Sequence, residues 1–311
     1  MVEKKILFMG YGNMTQKYLK ILKKISSKLN IKFCSSRNIK DNLYNDVSSI
    51  KKFNPDLIFI CSSTYKHYID LKFINNILKN KLILVEKPIF NKVQKIKLRN
   101  RVFVAYNLRY DPALQEIKKL IQNKKIWSVE VFCNSFLPNW REKNYIQTYS
   151  AHKKFGGGVA LDLSHEIDYL LWFFKSLKIK FSINNKISDL KINSDDNLTL
   201  IGSSNNVKQI ILHLNYYSKI DSRTINISSK NLNIRANLIE KKITIEKNGK
   251  LILKSWPERK FFKTYERQIK SFILNKNILS TTYADSLKVL KVLDKINKKS
   301  YKIKINKTQF I

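Results

Sequence analysis

Asp162, His165 and Asp168 stand three residues apart, just beyond Gly156-Gly157-Gly158. On a helix from about 159 to 174, residues at that spacing share a face, so each carboxylate would lie beside the imidazole. A carboxylate there fixes the ring's tautomer and tunes its basicity, which suits a group that takes and returns a proton. The chain has only four histidines, at 67, 152, 165 and 213. The acidic residues would equally fit solvated positions on a helix whose Leu161, Leu170, Leu171 and Trp172 face a core. With no HExxH pattern and no nearby cysteine, no metal is expected there.

A second cluster opens the chain. Gly10-Tyr11-Gly12-Asn13-Met14-Thr15 follows the apolar run Ile6 to Met9 and precedes Met14, Tyr18, Leu22, Ile25 and Leu29 at helical spacing. Strand, tight turn and helix in that order is the context of a dinucleotide fingerprint. The first glycine permits the turn, the second lets backbone approach a pyrophosphate, and the helix start offers amide donors and a positive dipole. Thr15 stands where a third glycine is usual, and a turn with no ligand would use the same residues. Cys34-Ser35-Ser36-Arg37 ends the next apolar run, where an NAD site normally has an acidic residue. Two hydroxyls and a guanidinium suit a ribose 2′-phosphate instead, so the stretch leans toward NADP and leaves NAD open; a plain loop with a solvated Arg37 is the alternative. Glu86-Lys87-Pro88 follows a further strand-like run, where a lysine would point toward a cofactor and a cis Lys87-Pro88 bond would hold its direction. In so basic a chain, one more surface lysine is the competing reading.

The elements that must position these groups fall into two textures. Up to Pro112, short apolar runs (Ile6 to Met9, Ile31 to Cys34, Leu57 to Cys61, Leu82 to Val85, Val102 to Tyr106) alternate with helical patterns, as in a parallel sheet with right-handed crossovers. After Pro112 come a helix from about Ala113 to Ile121, a strand from Trp127 to Asn134 and a polar-aromatic loop from Pro138 to Phe155. Strand-like stretches separated by Asn, Ser and Gly turns then run from Phe181 to Leu253, the pattern of a mostly antiparallel sheet. Helices at Thr264 to Leu274 and Ala284 to Ile296 follow. The expected division is residues 1–112, a dinucleotide-binding domain, and 113–311, a second domain.

Composition narrows the partners. The chain has 311 residues, a net charge of +37 and 43% hydrophobic content, which excludes fibrous and wholly disordered classes. Only nine of its 60 basic residues are Arg, and the lysines are spread along the whole chain. Recognition of phosphate or guanine favours Arg, so no specific nucleic-acid partner is expected. Cys34, Cys61 and Cys133 sit in or beside apolar runs and read as buried free thiols in a reducing compartment. The apolar stretch near the start is too short for a signal peptide, and no run nears the ~18 apolar residues of a membrane span. A cytoplasmic protein without membrane contact is the expectation.

In order along the chain, these motifs resemble the Gfo/Idh/MocA family of nicotinamide-dependent oxidoreductases. The glycine turn comes first, then Ile60-Cys61-Ser62-Ser63-Thr64-Tyr65-Lys66-His67, Glu86-Lys87-Pro88, Tyr106-Asn107-Leu108-Arg109-Tyr110-Asp111-Pro112, and the stretch from Gly156 to Asp168. The resemblance implies an N-terminal Rossmann domain followed by an α+β domain whose open, mostly antiparallel sheet forms a homo-oligomer interface. It implies hydride transfer between NADP or NAD and a secondary alcohol or ketone of a sugar or sugar derivative, with a place in surface-glycan sugar synthesis. By the same resemblance Gly10, Gly12, Asn13, Met14, Ser35, Ser36, Arg37, Ser62, Thr64, His67, Glu86 and Lys87 bind cofactor. Lys87, His165 and Asp162 are catalytic: Lys87 favours the anionic form of the reacting oxygen, His165 passes the proton and Asp162 tunes it. Asn107, Arg109, Trp140, Arg141, Tyr149 and Asp168 meet substrate, and the aromatic faces and Arg141 suit a sugar bearing an anionic or N-acyl group. Ordinary loop packing would use the same side chains. Two departures stand out: the carboxylate usually precedes the histidine by four residues rather than three, and the segment from Pro88 to Val102 is short enough to have lost a helix. A cofactor-binding sensor or scaffold without turnover is the alternative function.

Overall fold

The computed structural model describes residues 4–25, 28–44, 46–256 and 262–301. Two compact units emerge, one from the described parts of 1–110 and 261–287, the other from those of 111–260 and 288–311. The first unit thus takes back a segment from late in the chain, beyond a single cut near residue 112.

The first unit starts as β1 (Lys4–Met9), α1 (Asn13–Ile25), β2 (Leu29–Cys34), α2 (Val47–Phe53), β3 (Leu57–Ile60), α3 (His67–Ile77), β4 (Leu82–Val85) and β5 (Arg101–Val104). These five strands are parallel, in the order β2-β1-β3-β4-β5. Their near-continuous apolar runs are what a sheet covered on both faces requires. On α1 the buried Thr15, Tyr18, Ile21 and Leu22 form one stripe, packed with Phe8 and Phe59, whose rings stack at 4.8 Å. Between β4 and β5, residues 86–100 form no helix, as the short spacing implied. Asparagines hold that crossover instead. Asn75 donates to Lys97 O (3.0 Å) and accepts from Arg99 N–H (2.7 Å), while Asn100 accepts from Lys81 N–H (2.8 Å).

In the second unit come α4 (Pro112–Leu120), β6 (Ile126–Phe136), α5 (Val159–Asp162), α6 (His165–Phe174), β7 (Lys178–Asn185), β8 (Asn197–Ser204), β9 (Val207–Asn215), β10 (Tyr217–Ser229), β11 (Leu232–Asn237), β12 (Lys242–Lys247) and β13 (Lys250–Ser255). Asp111 caps α4 by accepting from Ala113 N–H (2.9 Å), and Pro112 takes the first helical position, where its missing N–H is not needed. The eight strands run in the order β13-β12-β11-β10-β6-β9-β8-β7, all neighbours antiparallel except β6 and β9. Alternation is clear on the central strands: Val129, Val131 and Cys133 of β6 and Ile225 and Ile227 of β10 are buried, and the residues between them are only half-buried. The chain then adds α7 (Phe262–Ile273) and β14 (Thr281–Thr282), which pairs antiparallel with β5, and α8 (Tyr283–Lys299).

Candidate active site

The turn after β1 explains its own residues. Gly10 has φ +91°, and a Cβ there would lie 2.9 Å from the Ser62 backbone, so only glycine fits. Its N–H donates to Cys34 O (2.9 Å), tying the ends of β1 and β2. At Gly12 a Cβ would meet nothing within 4 Å, leaving open space beside the start of α1. Thr15 is fully buried and its hydroxyl donates to Gly10 O (3.0 Å), so the residue in place of a third glycine closes the turn from inside. A cleft of about 270 Å³ lies at the ends of β1, β2 and β3, lined among others by Gly10, Gly12, Ser35, Ser36, Arg37 and Ser62. That is the switch point of the strand order, where such sheets bind ligands. Asn13 is exposed at the helix start, and Met14 packs against the core.

Sequence reasoning missed the residue that shapes the second wall. Asn42 accepts from Ser35 N–H (3.0 Å) and donates to Ser35 O (2.8 Å) and Arg37 O (3.0 Å), clamping the loop that carries the exposed Arg37. Lys66 and Asp70 also line the cleft. Burial pushes the Asp70 carboxyl up, partly opposed by the hydrogen bond it accepts from the Ser62 hydroxyl. Asn42 gave no signal because nothing local distinguishes it from the many other asparagines.

Beyond β4, several of the expected ligand-binding residues are buried and hydrogen-bonded within the unit. Glu86 is buried, accepts from the Tyr18 hydroxyl, and receives the Lys87 N–H (3.2 Å). Burial, then the Glu86 charge, drives the Tyr18 phenol well above its ordinary range. The Lys87-Pro88 bond is cis. His67 is 1% exposed; its ring nitrogens face Pro88 O (3.0 Å) and Ser62 O (2.9 Å), so it staples two turns together instead of lining the cleft. Thr64 is also buried, in a short helical turn over residues 64–66. Asn107 and Arg109, expected at substrate, are buried inside the first unit: Asn107 donates to the Thr264 hydroxyl (2.5 Å) and Arg109 pairs with Asp285 (3.8 Å). They fasten the returning segment.

In the second unit the expected helix over 159–174 is broken. α5 ends at Asp162, Leu163 and Ser164 depart from regular helix, and α6 starts at His165. Asp162 and His165 therefore belong to two separate helices, and the Asp162 carboxylate accepts from the Tyr216 hydroxyl at 2.5 Å, with the Tyr149 hydroxyl also bonded to it. Burial first, then the Asp162 charge, raises both phenols. Trp140 meets Tyr216 edge to face at 5.1 Å, and Arg141 lies 5.1 Å over the Tyr149 ring while donating to the Ser150 hydroxyl (3.3 Å). Thus Trp140, Arg141, Tyr149 and Asp162 do come together, around Tyr216, which no motif in the sequence singles out. His152 instead bonds Ile146 O (2.8 Å), which is loop packing. Gly157 is required because a Cβ would lie 2.2 Å from Tyr149 O. Asp195 caps α5, accepting from Ala160 N–H (3.1 Å); burial lifts it to about 6, helped by the Asp162 charge. His165 is 8% and Asp168 1% exposed, and their three-residue spacing survives inside α6.

Among the described residues, no group of three or more His, Cys, Asp or Glu is placed to hold a metal ion, and no helix is long and apolar enough to cross a membrane. No family model matches the chain. The curated relative YteT of Bacillus subtilis, ascribed an oxidoreductase role, is 24% identical over 143 residues, which cover 43% of this chain and only 32% of YteT. Solved structures match over nearly the full length. The dehydrogenase MviM of Clostridium difficile aligns at TM-score 0.73 and 22% identity, covering 96% of this chain and 99% of its own. An aldose-aldose oxidoreductase of Caulobacter crescentus, complexed with glycerol, gives 0.79 at 12%, covering 96% and 98%. The WlbA dehydrogenase of Bordetella pertussis, in complex with NADH and UDP-GlcNAcA, gives 0.76 at 13%, covering 96% and 97%. The chain therefore shares the fold of these solved dehydrogenases and oxidoreductases, a Rossmann unit with a second, mostly antiparallel one.

Proposed function

We propose that the chain is a nicotinamide-dependent oxidoreductase that moves a hydride between NAD(P) and a secondary alcohol or ketone of a sugar or sugar derivative. One observation carries the reading: Gly10 is wedged against Ser62, while a side chain on Gly12 would project into open space at the start of α1. That is the cradle a pyrophosphate needs, with amide donors and a helix dipole to receive it. The loop of Ser35, Ser36 and Arg37, with Lys66 in the same cleft, favours NADP over NAD. A bound nicotinamide supplies the hydride donor or acceptor.

For the chemistry, we assign Lys87 to the reacting oxygen, whose anionic form an ammonium favours, and His165 to the proton. With Asp162 held by two tyrosines, Asp168 is the carboxylate on the histidine's own helix, and we assign it to orient the ring. Trp140, Tyr149 and Arg141 offer aromatic faces and a fixed guanidinium to a sugar with an anionic or N-acyl group, which fits surface-glycan synthesis. The open face of the eight-stranded sheet, with Glu130, Asn226, Arg235 and Thr244, is the proposed homo-oligomer surface. Three buried free thiols support a reducing compartment, the cytoplasm.

The test is incubation with NADP or NAD and a panel of sugars, aminosugars and nucleotide sugars, following absorbance of reduced nicotinamide. Turnover on at least one is expected. Tight cofactor binding with no turnover across the panel would instead assign a sensor or scaffold.

A further inference from the structure

The break between α5 and α6 leaves His165 at a helix start with no regular helix behind it. Something other than helical continuity must set where its ring lies. Apolar packing is poorly suited to that task, because α6 is buried on nearly every side: of its ten residues only Trp172 is not buried. A helix buried on nearly every side lacks the single apolar stripe that would select one rotation about its axis, and apolar contact is non-directional.

Two directional contacts flank the break, and both come from one stretch of chain. Tyr216, between β9 and β10, donates to the Asp162 carboxylate at 2.5 Å, three residues before the histidine. Arg223, at the middle of β10, donates from Nε to Glu166 Oε1 at 2.8 Å, one residue after it. The register of β10 on β6 is irregular between Tyr217 and Ser222 and regular from there on, with Arg223 opposite Cys133. Burial pushes the Cys133 thiol up to about 12, so it stays protonated beside the Arg223–Glu166 pair. Glu166 is fully buried, so a rotation or slide of α6 would strand a carboxylate in the core, at a cost of several kcal/mol.

Stability alone does not account for this pair. Glu166 Oε2 and the Tyr169 hydroxyl beside it have no hydrogen-bond partner among the described residues. A buried ion pair left partly unsatisfied is often matched or bettered by apolar residues of similar size. What apolar residues would not supply is direction. Because neighbours on a helix are separated by about 1.5 Å and 100°, whatever fixes Glu166 fixes His165.

We propose that segment 216–223 is a two-point clamp that positions His165, with Tyr216 and Arg223 as its positioning residues. As a statement about catalysis the proposal rests on the role of His165 given above; as a statement about position it does not.

The experiment uses the full chain and two variants. Tyr216→Phe removes one hydroxyl. The double variant Arg223→Met with Glu166→Met removes both charges together, so neither is stranded. Cofactor affinity and melting temperature report folding. Histidine side-chain NMR reports His165 directly, since there are only four histidines and His165→Gln identifies its signals. Both variants should move or broaden the His165 ring signals with cofactor affinity within about twofold. On a turned-over substrate kcat should fall roughly 10- to 100-fold, the scale of an ångström-level misplacement, with KM changing less than about threefold. Unchanged His165 signals and kcat in either variant overturns the two-point clamp. If the double variant does not fold, Tyr216→Phe decides alone. A wild-type protein without turnover sinks the enzymatic reading, and the NMR result still decides the clamp.

Discussion

Replacing Gly12 with alanine separates a turn that binds from one that merely turns. A Cβ at Gly12 meets nothing within 4 Å, and no left-handed φ is required. The position precedes α1, and its carbonyl accepts from Gln16 N–H (3.1 Å), so it acts as the helix cap. Alanine caps less well than glycine, by roughly 0.5 to 1 kcal/mol, but it also removes backbone freedom from the unfolded chain, worth about 0.4 to 1 kcal/mol in the opposite sense. Net stability should change by less than about 1 kcal/mol, or about 4 °C in melting temperature for a unit of this size. Binding should respond differently, because the new methyl occupies the space a pyrophosphate would use. Forcing one carbon into a filled site costs about 1 to 3 kcal/mol, so NAD and NADP should both weaken roughly 5- to 150-fold. Gly10→Ala is the control: with φ +91° and backbone 2.9 Å from the added carbon, it should lower melting temperature by about 6 to 12 °C. Thermal melts and fluorescence titration of reduced cofactor read both quantities. If Gly12→Ala melts like wild type and binds both cofactors within twofold, the cleft does not hold a pyrophosphate there.

Other perturbations probe the remaining assignments. Arg37→Ala should weaken NADP by roughly 5- to 30-fold, a charge-assisted contact discounted for exposure, and leave NAD within about twofold; titrations showing equal loss would detach Arg37 from the phosphate. Lys87→Ala and His165→Ala should each lower kcat about 10²-fold or more with cofactor affinity nearly unchanged, as steady-state kinetics would register. Asp162→Asn should lower kcat less than about tenfold, since an amide oxygen still accepts the Tyr216 O–H, whereas a proton-transferring Asp162 would lose about 10²-fold. Asp195 titrates near 6 in the fold against 3.8 as its ordinary value, so its stabilising protonated form is fully present below about pH 4 and lost as pH rises through 6. Relative to Asp195→Asn, wild type should lose up to about 3 kcal/mol between pH 4 and 7, and parallel pH profiles in chemical denaturation would discard that account.

The first unit was legible because its chemistry is local. Short apolar strands, a glycine turn and a 3.6-residue stripe on α1 each act within a dozen residues, and β1, α1, β3 and β4 lie where the pattern placed them. The supports were not legible. His67, Glu86, Asn107 and Arg109 sit in the motifs that suggested ligand contact, yet their partners are a proline carbonyl, a tyrosine hydroxyl, Thr264 and Asp285, the last two some 150 residues away or more. A motif identifies which residues a site needs, and burial decides whether they touch the ligand or hold what does. In the second unit the edge strand β13 has no buried face to set an inside–outside alternation, since all six of its residues are exposed.

At 159–174, periodicity was right about apolar content and wrong about continuity. Leu161, Leu163, Ile167, Leu170 and Leu171 sustain a helical pattern straight across the break, so hydrophobic spacing alone has no means of registering it. The signal lay in the carboxylate-to-histidine spacing, one residue shorter than in the family it resembles. A helix with one residue removed can keep its downstream face only by rotating about 100°, which would swing a buried His165 or a buried Asp162 out of place. Breaking at Leu163 and Ser164 avoids that rotation: Asp162 goes to the tyrosines, α6 starts afresh, and Glu166 takes its bearing from Arg223. The shortened spacing thus accounts for the break, which leaves Asp162 bonded to Tyr216 and keeps His165 and Asp168 together on α6.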